Sequence, residues 1–320
     1  MTPLLYLSSA AIAALRPDPQ LARDAVAQAF RLKAEGRTRM APKTAVALQG
    51  SDVAMAMVGM LEAPGLAGVK WVGVCPGNPA AGLAAINGVI VLSDAATGLP
   101  RAILDAGWIT ATRTAACTGV AAVHLADPQS ESAGFIGCGL QAHANLDALL
   151  LALPGLQRVR IFGRGAASRD AFAARVHELG LRAEMAPTPE AAVREMDVVV
   201  SSVPPAPQLQ PFLDPRWLTK RAFVSAVDLG RSWHQAPWRA AFDLVVTDDT
   251  DQSKALIEQG KLLDGGPFDG EIGDLLTARL SPPDGRRALL FAGTPLCDLA
   301  LAARIEALAR EAGLGMELPR

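Results

Sequence analysis

Three groups of residues in this chain sit where chemistry would need them. The first is Gly137-Cys138-Gly139-Leu140-Gln141-Ala142. It follows the apolar run Ala133 to Ile136 and opens a stretch with helical spacing. A GxGxxA turn between a strand and a helix suits a dinucleotide pyrophosphate. Gly137 permits the tight turn, and Gly139 lets the backbone approach the phosphates. The helix N-terminus offers N–H groups and positive dipole to the anion. The alternative is an ordinary strand-to-helix turn. The following strand, Arg158 to Phe162, ends in Gly163-Arg164-Gly165. An NAD-preferring fold places Asp or Glu there, against the adenosine ribose. No acid is present. Arg164 is placed to face a 2′-phosphate, with Arg169 as a helper. This favours NADP(H), with NAD(H) still open; the alternative is a solvated loop charge.

The second group is cationic: Lys43, Lys70 and Arg113. Lys70 interrupts the apolar run VKWVGV, and Arg113 stands in ITATRTAAC, read as a helix start. A Lys in an apolar strand is costly unless its charge is paired. An anionic ligand can supply the pairing, and Arg suits a carboxylate bidentately. Each cation alone is equally a surface charge with a buried stem. The third candidate is Asp228 in FVSAVDLGRSW, at the end of an apolar strand. Ligands bind beyond the carboxyl ends of such strands, where an Asp can move a proton. Its other reading is a pair with Arg231 or a cap on the next turn.

Other chemistries are absent from the motifs. There is no GxSxG elbow, no GxxxxGK[ST] loop and no HExxH. Cys75, Cys117, Cys138 and Cys297 lie far apart without a CxxC, and His124, His143, His177 and His234 are scattered. Neither a structural zinc site nor a disulfide framework is expected, and a reducing, cytoplasmic compartment fits. Cys138 reads as inert and His143 as a helix-surface residue. The 320 residues carry 30 Lys+Arg against 32 Asp+Glu, a formal net charge of −2, with 5% aromatic residues. That balance excludes nucleic-acid binding as the main activity. Half of the residues are hydrophobic, which excludes global disorder. No apolar run is long enough for a transmembrane helix. The start, MTPLLYLSSAAIAALRPDPQ, resembles a short signal core. No basic residue precedes it and Ser8-Ser9 interrupts it, so it reads as a strand, Leu4 to Leu7, and a helix capped by Ser8 or Ser9.

These residues need elements to hold them. Residues 18–36 have helical spacing and end at Gly36. WVGV, NGVIVLSD and GLPRAIL are short strand-like runs, with turn signals at Asn87-Gly88 and Thr97-Gly98. They predict a mostly antiparallel sheet, followed by a helix over 106–126. From about residue 133 strand and helix alternate: AGFIG, QAHANLDALLLAL, RVRIFG, ASRDAFAARVHELG, then MAPTPEAAVREM as a short helix, DVVVSSV, RAFVSAV and FDLVVTD. Near-continuous apolar strands with helices between them predict a parallel sheet covered on both faces. LCDLALAARIEALAREAGLG predicts a long amphipathic helix at the end.

In order along the chain stand Gly68-Val69-Lys70-Trp71, Pro76-Gly77-Asn78, Leu92-Ser93-Asp94, Thr97-Gly98-Leu99-Pro100-Arg101-Ala102, Ile109-Thr110, Arg113-Thr114-Ala115-Ala116, the GxGxxA turn, Gly293 and Asp298. By these motifs the chain resembles the ornithine cyclodeaminase/mu-crystallin family over nearly its whole length. The resemblance implies an α/β fold. A Rossmann-type dinucleotide-binding domain, 114–292, is inserted in a discontinuous α+β substrate and dimerisation domain, 1–113 plus 293–320. It implies a homodimer. It places Lys70 and Arg113 on the substrate carboxylate, with Lys43 where an Arg is usual and Met57 near a pocket-lining position. Cofactor contacts are implied for Thr114, Gly137, Gly139, Leu140, Gln141, Ala142, Arg164, Ser202, Val203, Val227 and Gly293. Cyclodeaminases of the family carry an acid in a segment like GGDCPGKTEL. An ungapped alignment puts Gly230 there, with Asp228 two residues earlier, about 7 Å along an extended strand. This counts against cyclodeamination.

The expected activity is NAD(P)H-dependent reduction of a small cyclic imino acid, of the pyrroline-2-carboxylate or piperideine-2-carboxylate type. Lys70 and Asp228 are the catalytic candidates in that reading. Three alternatives stay open. They are ornithine cyclodeamination, an amino-acid dehydrogenase acting on an open-chain 2-oxo acid, and a non-catalytic NADPH-dependent ligand-binding protein. The partners expected are a small amino or imino acid and a second copy of the chain, with no nucleic acid, membrane or metal.

Overall fold

A computed structural model describes residues 3–50, 52–206 and 208–319. The chain divides into two compact units: Met1–Arg113 with Thr294–Arg320, and Thr114–Gly293.

In the first unit β1 (Leu4–Leu7) leads into α1 (Ser9–Ala14), whose N-cap is Ser8. Next comes α2 (Pro19–Ala34), capped by Asp18 with Pro at its first position; each such cap is worth about 1 kcal/mol. Strands β2 (Thr38–Met40), β3 (Thr44–Ala47), β4 (Val53–Leu61), β5 (Leu66–Val74), β6 (Ile86–Asp94) and β7 (Pro100–Asp105) follow. They lead into α3 (Gly107–Leu125). Neighbours β4 to β7 pair antiparallel, while β1 joins β7 in parallel. One face of this sheet buries Leu5, Leu7, Met57, Lys70, Ile90 and Leu104. The opposite face leaves Tyr6, Val58, Trp71 and Val89 exposed.

The second unit contains β8 (Ser132–Ile136), α4 (Leu140–Ala152), β9 (Arg158–Phe162), α5 (Ala166–Glu178), β10 (Arg182–Met185), α6 (Pro189–Val193), β11 (Val198–Ser201), β12 (Phe223–Ala226), α7 (Gln235–Ala241), β13 (Leu244–Thr247), α8 (Thr250–Glu258), β14 (Gly270–Glu271), α9 (Ile272–Leu276) and β15 (Arg287–Leu290). Its sheet is parallel throughout, in the order β10-β9-β8-β11-β12-β15-β13-β14. Strands β8, β11, β12, β13 and β15 are buried at every position, as the unbroken apolar runs require. The chain then returns to the first unit with α10 (Pro295–Glu311) and β16 (Met316–Leu318), which pairs with β1.

Several expectations are corrected. Asn87-Gly88 is not a turn: both residues lie inside β6, opposite Gly73 and Val72. A Cβ at residue 88 would stand 2.2 Å from the Trp71 carbonyl oxygen, so Gly88 serves close strand approach. The β5–β6 connection runs instead through a 3₁₀ turn at Asn78–Ala81. Thr97-Gly98 is a turn, with the Asp94 carboxylate accepting from the Ala96 and Thr97 N–H groups. Arg113 lies well inside α3 rather than at its start. The segment read as MAPTPEAAVREM is helical only over Pro189–Val193 and is preceded by the edge strand β10. The last helix is buried on most sides rather than along one stripe, and it encloses two acids, Asp298 and Glu306.

Candidate functional site

In the first unit, burial alone sorts the polar residues. Strand alternation turns Lys70 of β5 to the covered face, opposite Met57 on β4 and Ile90 on β6. Lys70 is 2% exposed and Arg113, from α3, is 5% exposed. Both reach Asp298 in the first turn of α10: Lys70 Nζ donates to Oδ1 at 2.8 Å, and Arg113 Nε donates to the same atom at 2.9 Å. Asp298 is wholly buried, and its Oδ2 has no hydrogen-bond partner among the described residues. Lys43, between β2 and β3, adds a third positive charge felt at Lys70. Burial pulls the Lys70 ammonium down to about 8; Asp298 opposes that shift, while Arg113 and Lys43 add to it. Lys70 and Arg113 thus share one carboxylate oxygen, with the Lys43 charge also felt at Lys70. The sequence-predicted residues Lys43, Met57, Lys70 and Arg113 are thus brought together. Asp298 was visible only as a motif residue, because its partners lie 228 and 185 positions away.

In the second unit the GxGxxA turn joins β8 to α4. Gly137 has φ +96°, and a Cβ there would stand 2.9 Å from the Ser202 carbonyl oxygen. Gly139 caps α4 without a side-chain hydrogen bond, and nothing lies within 4 Å of where its Cβ would be. An open glycine at a helix N-terminus fits a pyrophosphate. The adjoining cavity of about 460 Å³ is lined by Gly137, Cys138, Gly139, Arg164, Ser168 and Val203, among others. Arg164 is thus on the wall of the cavity beside the glycine turn. Arg169 Nη1 donates to the Gly163 carbonyl at 2.7 Å and braces the loop. Ala142 is buried, Leu140 is exposed, and Gln141 accepts a hydrogen bond from Asn145. Ser202 stands beside Gly137 with its Oγ buried. Thr114, Val227 and Gly293 do not line this cavity. The Cys138 thiol is pushed up to about 11 by burial, which leaves it unreactive.

Asp228 is differently placed. It is 5% exposed, at the carboxyl end of β12. Its Oδ1 accepts from Ser201 Oγ at 3.0 Å and from the Gly230 N–H at 3.1 Å. Its Oδ2 accepts from Ser232 Oγ and from the Val203 N–H, the latter at 3.4 Å. A carboxylate has about four acceptor sites, and here each meets a protein donor. Trp233 Nε1 extends the network to Ser201 Oγ at 3.0 Å. Leu229 and Gly230 both have positive φ, +62° and +70°, and the Asp228 bonds hold that left-handed pair. Burial raises the Asp228 carboxyl, while Ser232 and Ser201 pull it back. Capping the next turn, the plainer reading of this residue, describes the geometry better than a proton relay. Ser201, Ser232 and Trp233 were not singled out from the sequence; a short polar side chain carries no sign of what it will bond.

The model of the ornithine cyclodeaminase/mu-crystallin family matches residues 11–256. The chain belongs to this family. An alanine dehydrogenase of Archaeoglobus fulgidus is 32% identical over 240 residues, covering 73% of this chain and 70% of that one. A Δ1-pyrroline-2-carboxylate reductase of Bacillus cereus is 34% identical over 152 residues, 47% of this chain and 46% of its own. Among solved structures, an archaeal alanine dehydrogenase dimer with bound NAD superposes with a TM-score of 0.84 at 26% identity, covering 99% of both chains.

Proposed function

We propose that the protein is an NAD(P)H-dependent reductase that converts a small cyclic imino acid, of the pyrroline-2-carboxylate or piperideine-2-carboxylate type, to the amino acid. The buried pair Lys70 and Arg113 on one oxygen of Asp298, with the half-buried Lys43 acting on Lys70, carries this reading. Lys70 and Arg113 bind the substrate carboxylate and fix the orientation of the ring. The Gly137–Gly139 turn would hold a dinucleotide, which would supply the hydride. The ring nitrogen arrives protonated. Reduction at the imine carbon would move the C=N electron pair to nitrogen and give the secondary amine. No protein acid is needed for this step, which suits a chain whose Asp228 is occupied by protein donors. Cyclodeamination, with its several proton transfers, suits the chain less.

Arg164 on the cavity wall, with no acid at the end of β9, supports NADP(H) over NAD(H). The exposed apolar face at Tyr6, Val58, Trp71 and Val89 supports a homodimer through that sheet, as does the dimeric alanine dehydrogenase. The four cysteines are free, and no helix among the described residues is long and apolar enough to cross a membrane. The free thiols support a reducing, cytoplasmic compartment.

The first experiment follows nicotinamide absorbance with purified protein, NADPH and equilibrated Δ1-pyrroline-2-carboxylate, with NADH alongside. Fast oxidation of NADPH is expected without added ammonia. No oxidation with either cofactor overturns the reductase reading. A second reading, an amino-acid dehydrogenase, draws on the likeness to alanine dehydrogenase; it predicts oxidation only with a 2-oxo acid and ammonia together. Light scattering tests the dimer: Trp71→Glu should yield monomers, and an unchanged mass would remove this face from the interface.

A further inference from the structure

Lys70 and Arg113 come from different elements, β5 and α3, and reach one oxygen of one residue. Like charges brought this close in a buried place repel, and without a counter-charge they would swing apart or lose a proton. A carboxylate meant only to neutralise them would do better with one oxygen for each. Asp298 instead uses Oδ1 twice, at 2.8 and 2.9 Å, which holds the two cationic heads side by side. It stands on the first turn of α10, just after the Thr294 cap, and that turn is buried from Pro295 to Leu299. Its position is therefore set by the packing of the whole helix.

We propose that Asp298 is the positioning residue of the substrate clamp. Through Oδ1 it holds Lys70 and Arg113 together and keeps Lys70 an ammonium, so that both cations meet a single substrate carboxylate. This rests on the reading of Lys70 and Arg113 as the carboxylate-binding pair. The charged groups that face Lys70 are Asp298 from α10, Arg113 from α3 and Lys43 from the β2–β3 link. Of these only Asp298 favours the charged form; Arg113, Lys43 and burial all disfavour it. Affinity for a carboxylate should thus fall as pH rises through the Lys70 value of about 8. Taking away the Asp298 charge should move that fall to lower pH.

The test uses the full chain and tetrahydrofuran-2-carboxylate, a ring acid with no titratable nitrogen. Its Kd is measured by titration from pH 6 to 9.5 at saturating NADP+, with NADPH affinity and thermal midpoint recorded for each variant. In the native protein the affinity should be level at low pH and fall above about pH 8. Asp298→Asn should weaken binding roughly tenfold or more at pH 7.5, the scale of one charge-assisted hydrogen bond, and shift the fall to lower pH. Asp298→Glu keeps the charge, so it should weaken binding while leaving the fall near its native pH. NADPH affinity should stay put in both. A lower thermal midpoint with an unmoved pH profile in Asp298→Asn would reduce Asp298 to a structural role and overturn the proposal. If Asp298→Asn does not fold, a shifted profile in Asp298→Glu overturns it instead. Lys70→Met separates the two claims. If Lys70→Met binds the acid normally, the clamp itself is wrong; if it loses binding while the Asp298 variants behave as native, only the role of Asp298 fails.

Discussion

The two units each bury an aspartate at the point where a ligand would be handled, and the two are solvated by the protein in opposite ways. Asp228 meets four neutral donors, from Ser201, Val203, Gly230 and Ser232. Asp298 meets two cations on one oxygen and has no hydrogen-bond donor for the other among the described residues. A buried carboxylate with all its acceptor sites filled is held in one orientation. A buried ion cluster gives up its hydration, and its charges must be offset by one another or by a ligand. The two acids differ in what they join: Asp228 ties together donors of its own loop region, whereas Asp298 joins two cations from separate elements.

Lys70→Met should produce the largest effect. It keeps the volume and removes the charge, so KM for the imino acid should rise roughly 100-fold, by about 3 kcal/mol. The Kd for NADPH, held in the other unit, should hardly move. Equal losses of both would show that Lys70 supports the fold rather than the substrate. Asp228→Ala sharpens the other half. It strips the acceptor from two backbone N–H groups and two hydroxyls, and should lower stability by about 3 kcal/mol. The folded fraction should keep its kcat within about tenfold, whereas a proton relay would cost about 10²–10⁴. A stable Asp228→Ala protein that has lost turnover would reverse the comparison and restore Asp228 as an acid–base group.

The sequence marked one half of this comparison well and the other poorly, for a physical reason. A Lys in the apolar run VKWVGV violates strand patterning, so Lys70 stands out in the sequence, although a surface charge with a buried stem fits the same pattern. Asp298 in LCDLALAA violates helix patterning in the same way, yet its role depends on partners that only the fold brings to it. Asp228 ends an apolar strand, and that position is shared by catalytic acids and loop caps; only the donors around it decide. The parallel unit was legible because its central strands are buried at all positions. The edges were not. Strands β10 and β16 are short, partly exposed and polar, and lack an alternating pattern. Asn87-Gly88 misled because the same dipeptide that suits a tight turn also suits a strand pressed against its neighbour's backbone.

A smaller effect is expected at the nucleotide cavity, where Arg164 lines the wall. Arg164→Asp replaces a cation suited to a 2′-phosphate with the acid that suits a ribose hydroxyl pair. The ratio of kcat/KM for NADPH to that for NADH should fall about tenfold or more, the worth of one charge-assisted hydrogen bond. Imino acid KM should be unchanged, since that residue belongs to the other unit. A ratio that does not move would take Arg164 off the cofactor.

The smallest effect reads the cost of the unsatisfied cluster in the absence of substrate. Lys70 is held at about 8 in the folded protein against 10.5 in the unfolded chain. Between those values the unfolded chain binds the proton and the folded one sheds it, so stability rises with pH through that window. Lys70→Met has no such group. It should therefore be more stable than the native protein at pH 7, and the gap should narrow by about 1 kcal/mol between pH 7 and pH 9. Urea unfolding of both proteins at the two pH values measures it. Adding a carboxylate ligand at pH 7 should stabilise the native protein and leave Lys70→Met nearly untouched, because only the native cluster has the surplus charge to gain from it. A gap that stays constant with pH would mean that the fold already satisfies Lys70, and the contrast between the two aspartates would lose its physical basis.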